Sequence, residues 1–307
     1  MTRYLTFQSN LFMIIAVITI ALSCLGVDIT SASSVLALIM IIAIFGVPHG
    51  ALDTLFAKKA FALNSIKKWL QFVSVYVLLS VAVLIFWMLS PTIFFILFLC
   101  FSALHFSDDL GNIKPKLLGI LYGFNIVTLP SILHANELAT LYGYLIDYGH
   151  AVKLVSVMKP FSVTIAALTV LLTMIFYLKK NAIDKRLILE IAGVSVLMLF
   201  AKPLLAFTIY FCFMHSARHI LRAKFYFVEY SNTALLISII APTLTVLLFC
   251  VFIFQTLPTE KIDENLIKVT FATLAALTFP HAFLLKKVGF LKWINTNSVD
   301  KVTSSQI

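Results

Sequence analysis

Charge is what this sequence has least of. Only 12% of its 307 residues are Asp, Glu, Lys or Arg, while 61% are hydrophobic and the mean hydropathy is +1.04. Soluble domains carry about a quarter charged residues, so a water-soluble globular fold is excluded and the chain reads as an integral membrane protein. Acid is scarcer than base, 13 residues against 23, which leaves a net charge of +10. Such a balance can serve nucleic acid, but here Lys and Arg stand in short clusters between apolar runs. That is the pattern of loops facing anionic lipid, and no nucleic-acid partner is expected. Cysteine is also scarce: Cys24, Cys100, Cys212 and Cys250 all lie within apolar runs and form no C-x-x-C pair. Neither a disulfide framework nor a zinc ribbon is indicated, and packing is the expected role of each. With nine prolines and ten glycines, a collagenous or low-complexity chain is excluded too.

What remains is a series of apolar stretches, each near the length needed to cross a bilayer. Ten can be read, at roughly 10–27, 34–57, 69–89, 92–110, 117–134, 161–179, 187–201, 203–223, 234–255 and 266–286. The seventh is short and abuts Pro203. Arg3 ahead of the first run permits a signal-peptide reading, but the run is long for one and no A-x-A site follows. It is therefore kept as a helix at the periphery of the bundle. Segment 137–158 carries Glu137, Asp147, Lys153, Tyr142, Tyr144 and Tyr148, which suits an interfacial helix. Residues 290–307 read as a polar tail. No soluble domain, linker or repeat is visible, so 1–307 is one domain: an all-α, polytopic bundle of about ten transmembrane helices.

The basic residues test that count. Arg3; Lys58, Lys59, Lys67 and Lys68; Lys114 and Lys116; Lys179, Lys180, Lys185 and Arg186; Arg222 and Lys224; and Lys286, Lys287 and Lys292 fall on every second connection. The loop between the last two helices is acidic instead, with Glu260, Asp263 and Glu264. The positive-inside rule then predicts a multi-pass protein of the cell (inner) membrane with both termini cytoplasmic.

Within this frame five of the seven histidines stand out. His49, His105, His215, His219 and His281 lie in four predicted helices that all run the same way, each a few residues before a basic cluster. At about 1.5 Å per residue they share a slab one or two turns deep. His215 and His219 are spaced i, i+4, which places both imidazoles on one helix face. Ionisable groups at membrane depth are costly and usually functional. Taken singly, each histidine also reads as a core residue bonded to nearby backbone; together they point to a metal. His134 and His150 fall near the outer face and read as surface residues.

Carboxylates follow the histidines. Asp53 stands four residues after His49 and Asp109 four after His105, so each is expected on its histidine's face. Asp108 and Glu190 lie at similar depth. A ligating imidazole normally donates its other N–H to a carboxylate or carbonyl, which makes Asp53, Asp108, Asp109 and Glu190 candidate supports, with Arg218 a partner for one of them. An all-imidazole, oxygen-poor site suits Fe(II), Cu or Zn better than Mg or Ca. HSARH lacks the glutamate of H-E-x-x-H, which argues against a zinc protease.

At these residues the chain resembles the Brp/Blh family of bacterial and archaeal membrane β-carotene 15,15′-dioxygenases. The resemblance rests on P-H-G-x-x-D at Pro48–Asp53, H-F-x-x-D at His105–Asp109, H-S-x-R-H at His215–His219 and P-H at Pro280–His281. It departs at Ser107 and Asp108, where a glycine-containing turn is expected. The resemblance implies O2-dependent cleavage of β-carotene at its central double bond to two retinals, and one non-heme Fe(II) held by His49, His105, His215 and His219. His281 matches a further family histidine and is placed among the supports. An opsin-type protein that receives retinal is the implied partner, besides β-carotene, O2 and the bilayer. The 28 phenylalanines could line a tunnel for a rigid polyene. Two other classes compete: a non-enzymatic carotenoid or retinal carrier, and a metal transporter. The latter needs polar groups along the outer halves of the histidine helices, where LALIMIIAIF, TIFFILFLCF and FTIYFCF are almost wholly apolar.

Overall fold

A computed structural model describes residues 1–26, 32–111, 113, 115–179, 183 and 185–299. Residues 300–307 of the tail, and Lys114 and Lys180 of the basic clusters, lie outside them. The described residues form helices and connecting turns, with no strand. In chain order the helices are α1 (Thr2–Cys24), α2 (Ser34–Phe61), α3 (Ile66–Leu89), α4 (Pro91–Leu110), α5 (Lys116–Leu133), α6 (Ala135–Gly143), α7 (Tyr148–Leu178), α8 (Lys185–Phe200), α9 (Pro203–Tyr226), α10 (Asn232–Gln255), α11 (Ile262–Lys287) and α12 (Phe290–Val299). Nine of them are long and apolar enough to cross a membrane. The protein is a multi-pass, all-α membrane protein. The sixteen-residue α8 falls short of that length, as its predicted boundary beside Pro203 suggested.

Helix α9 is the centre, and most of it is buried. Around it pack α1, α2 and α8, whereas α3 and α10 turn nearly their whole surface outward. Exposed Leu, Val and Phe on those two helices mark a lipid-facing wall. Close helix approach is built in at glycine. A Cβ on Gly123 of α5 would stand 1.9 Å from the Ala103 carbonyl of α4.

Three boundaries differ from the sequence expectation. Helix α1 is not peripheral: Phe12 and Ala16 join the main core, and Gln8 and Ser9 bond to α9 and α8. Segment 137–158 is not one helix: its first part lies in the short α6, and residues from Tyr148 onward belong to the long α7, which continues through Pro160. Residues 290–299 are not free tail. Phe290 and Ile294 lie one turn apart and bury together against Phe56, Phe227 and Leu284.

Candidate metal centre

The histidine helices are not regular where the histidines sit. In α2 a π-turn spans Ile42–Gly46, and the Val47 amide reaches back to the Ile42 carbonyl at 2.9 Å. Pro48 follows, and a proline has no amide to continue the ladder. In α9 a second π-turn spans Tyr210–Ser216 and contains His215. Such π-turns shift the helical phase and recur at functional sites. The two lie side by side. Ser216 donates to the Phe45 carbonyl at 2.6 Å and to the Gly46 carbonyl at 3.1 Å. A Cβ on Gly46 would meet the Phe211 ring at 2.5 Å, so a side chain there would displace that ring. Cys212 packs in the same seam, with its sulfur 3.5 Å from the Ile41 carbonyl.

Around this seam the five histidines converge. The His49 ring centroid lies 5.0 Å from that of His215, 5.4 Å from His219 and 5.2 Å from His281. His105 lies 4.9 Å from His215 and 5.6 Å from His281. One ring nitrogen from each of His49, His105 and His281 falls within 4.8 Å of the other two. His281 therefore stands among the candidate ligands rather than behind them. The Nε2 atoms of His105, His215, His219 and His281 are buried without a hydrogen-bond partner, and so is Nδ1 of His219. Leaving such groups unpaired in a buried site costs about 1–3 kcal/mol each. A cation bound where His49, His105 and His281 meet would satisfy Nε2 of His105 and of His281 together, and His215 and His219 flank that point. His134 and His150 lie apart, bonded near the Phe200 carbonyl and Thr92.

The Nδ1 atoms of His49, His215 and His281 are held. His49 Nδ1–H donates to the Gly46 carbonyl at 2.6 Å. His215 Nδ1 lies 3.0 Å from Asp109 Oδ1, and Tyr210 donates to Asp109 Oδ2 at 2.5 Å. His281 Nδ1 lies 2.7 Å from Asp53 Oδ1, and Tyr76 donates to Asp53 Oδ2 at 2.8 Å. The last two arms are His–Asp–Tyr relays that engage Nδ1 and leave Nε2 free to ligate.

Both aspartates thus support a histidine of another helix, not the one four residues before them. The reason is local winding: Leu52 breaks the α2 spiral between His49 and Asp53, and α4 tightens into a 3₁₀ turn at Ser107–Leu110. That turn holds the Ser107–Asp108 departure and closes at Gly111, whose φ of +67° suits glycine. Asp108 meets the site through its carbonyl, which accepts from Arg222 at 3.1 Å. Arg218 pairs with Glu190, with Nη1 at 3.0 Å from Oε2 and Nη2 at 3.0 Å from Oε1. It also donates to the Asp109 carbonyl at 3.1 Å. Gln8 accepts from Arg218 Nε at 3.2 Å, and Ser9 donates to Glu190. Sequence reasoning missed Tyr76, Tyr210, Gln8 and Ser9. For Gln8 and Ser9 the available signal was a polar pair inside an apolar helix.

On one side the imidazoles open onto a cavity that is otherwise mostly apolar. Phe95, Phe98, Phe207, Phe211 and Phe271 line it together with His49, His105, His215 and His281.

The sequence model of the family described as beta-carotene 15,15'-dioxygenase matches residues 40–288, which span the five histidines, both aspartates and the cavity helices. The chain belongs to that family. It is an enzyme of the oxygenase class, concerned with carotenoid cleavage. A curated beta-carotene 15,15'-dioxygenase from an uncultured marine bacterium, 66A03, is 29% identical over 260 residues, covering 81% of this chain and 91% of that protein. No solved structure matches the chain. Helix α1, with Gln8 and Ser9, precedes the family match.

Proposed function

We propose that this oxygenase uses one Fe(II) and O2 to cleave β-carotene at its central double bond, giving two molecules of retinal. The observation that carries the reading is a cluster of buried imidazoles with unpartnered Nε2 atoms in the wall of an aromatic cavity. Imidazoles with few oxygen donors fit Fe(II). His49, His105, His215 and His219 would hold the ion, and His281 stands close enough to join them. When bound, iron supplies the activation of O2. The protein supplies the rest. Asp53 and Asp109 each take an Nδ1–H, fix its tautomer and set two negative charges one residue away from a divalent ion. Phe98, Phe207 and Phe271 exclude water and confine a rigid polyene. Because carotene dissolves in lipid, it enters sideways from the bilayer without crossing water. Both termini are cytoplasmic in this reading, and the retinal passes to an opsin-type protein in the same cell membrane.

The test is expression in a β-carotene-producing bacterium with chromatography of the pigments. Loss of orange colour with accumulation of retinal, both absent in His215→Ala, is expected. Cells that stay orange with folded, iron-loaded protein would favour a carotenoid carrier instead.

A further inference from the structure

The cavity has a readable length. On α4 its lining residues include Phe95, Phe98, Ser102 and His105; on α11 they include Phe271, Leu274, Thr278 and His281. Both sets follow the spacing of a single helix face. Each begins at an imidazole and ends ten residues away, about 15 Å at the helical rise. Packed side chains stand at the far end. Phe95, Leu138 and Tyr142 are all buried, the rings of Phe95 and Tyr142 stand 4.7 Å apart edge to face, and Ala151, Val155 and Met158 of α7 back them. The arm's polar groups are few: the Thr278 hydroxyl is already bonded to the Leu274 carbonyl at 2.5 Å, and the others are the Ser102 and Tyr142 hydroxyls.

We propose that this blind arm is a gauge that sets where the polyene is cut, with Phe95, Leu138 and Tyr142 as its end wall. A zigzag polyene advances about 1.2 Å per bond, so half of β-carotene, nine bonds and a ring, spans roughly 15 Å. A ring pressed against the end wall therefore brings the central double bond level with the histidines. The end wall selects the bond through depth, whatever the length of the opposite arm. The inference rests on the carotene-cleavage reading and adds the residues that fix its register.

Two experiments test it. In Phe95→Ala and Leu138→Ala the arm deepens and the ring slides inward, so unequal apocarotenal pairs should replace part of the retinal. Leu138→Ala is the milder change, in case Phe95→Ala does not fold. The second uses the unaltered protein with an apocarotenal that keeps one complete ring-bearing arm and shortens the other. Retinal from the complete arm is expected at every length of the other. If the variants make only retinal at a lower rate, or if the cut follows the shortened end, the gauge is overturned. Absence of any aldehyde from β-carotene itself would remove the cleavage reading beneath it, an outcome separate from the other two.

Discussion

The two His–Asp–Tyr relays have the same parts and different surroundings. In one, Asp109 is reached by His215 and Tyr210, and its carbonyl receives Arg218 and, at 2.8 Å, Arg222. Tyr210 and both arginines are buried, and Glu190, Gln8 and Ser9 extend the network into α8 and α1. In the other, Asp53 is reached by His281 and by Tyr76. Tyr76 belongs to α3, a helix with no buried residue. One relay is braced from three helices, while the other leans on a helix that faces lipid. The lesson is that a carboxylate's contact with its histidine is only part of its support. How firmly the carboxylate is held decides how much of that contact survives perturbation.

Removing the brace should have the largest effect. Glu190→Gln leaves the Arg218 guanidinium buried without its counter-charge, and breaking a buried pair costs about 3 kcal/mol or more. A clear loss of thermal stability in detergent is expected. An unchanged melting temperature would mean that Arg218 finds another partner. Next comes the braced carboxylate itself. Asp109→Asn should weaken iron binding by about a hundredfold, the upper part of the range for groups that orient metal ligands. Asp53→Asn should cost about tenfold, because fewer groups hold that carboxylate. Both are read by titrating iron into metal-free protein, and equal losses would erase the distinction between the arms. The smallest effect is expected from Tyr76→Phe, which removes one hydrogen bond to Asp53 and leaves the carboxylate and its contact with His281 in place. Its check is retinal formation rate beside Tyr210→Phe, which should be the slower of the two.

Much of this was legible beforehand. Apolar runs give the bundle, and the common depth of His49, His105, His215, His219 and His281 points to their convergence. The partners were harder. A helix wheel puts Asp53 with His49 and Asp109 with His105, but a wheel assumes unbroken winding. A break at Leu52 and a 3₁₀ turn after Phe106 rotate both carboxylates toward other helices. Tyr76 and Tyr210 gave no signal, since a tyrosine in an apolar helix ordinarily packs or reaches the interface. Helix α1 was misjudged for a related reason: Gln8 and Ser9 look like the polar start of an outlying helix until Arg218 and Glu190 are seen beside them. The end of the chain misled by its length, because Phe290 and Ile294 make only one apolar turn in an otherwise polar stretch.

The central claim is that these imidazoles form one iron site. Iron content per chain, measured on the purified full-length protein and on His215→Ala, tests it most directly. The account predicts one tightly held iron in the parent and its loss in the variant, with the fold retained by circular dichroism. A parent that binds no stoichiometric metal, or a variant that keeps the full complement, would contradict it.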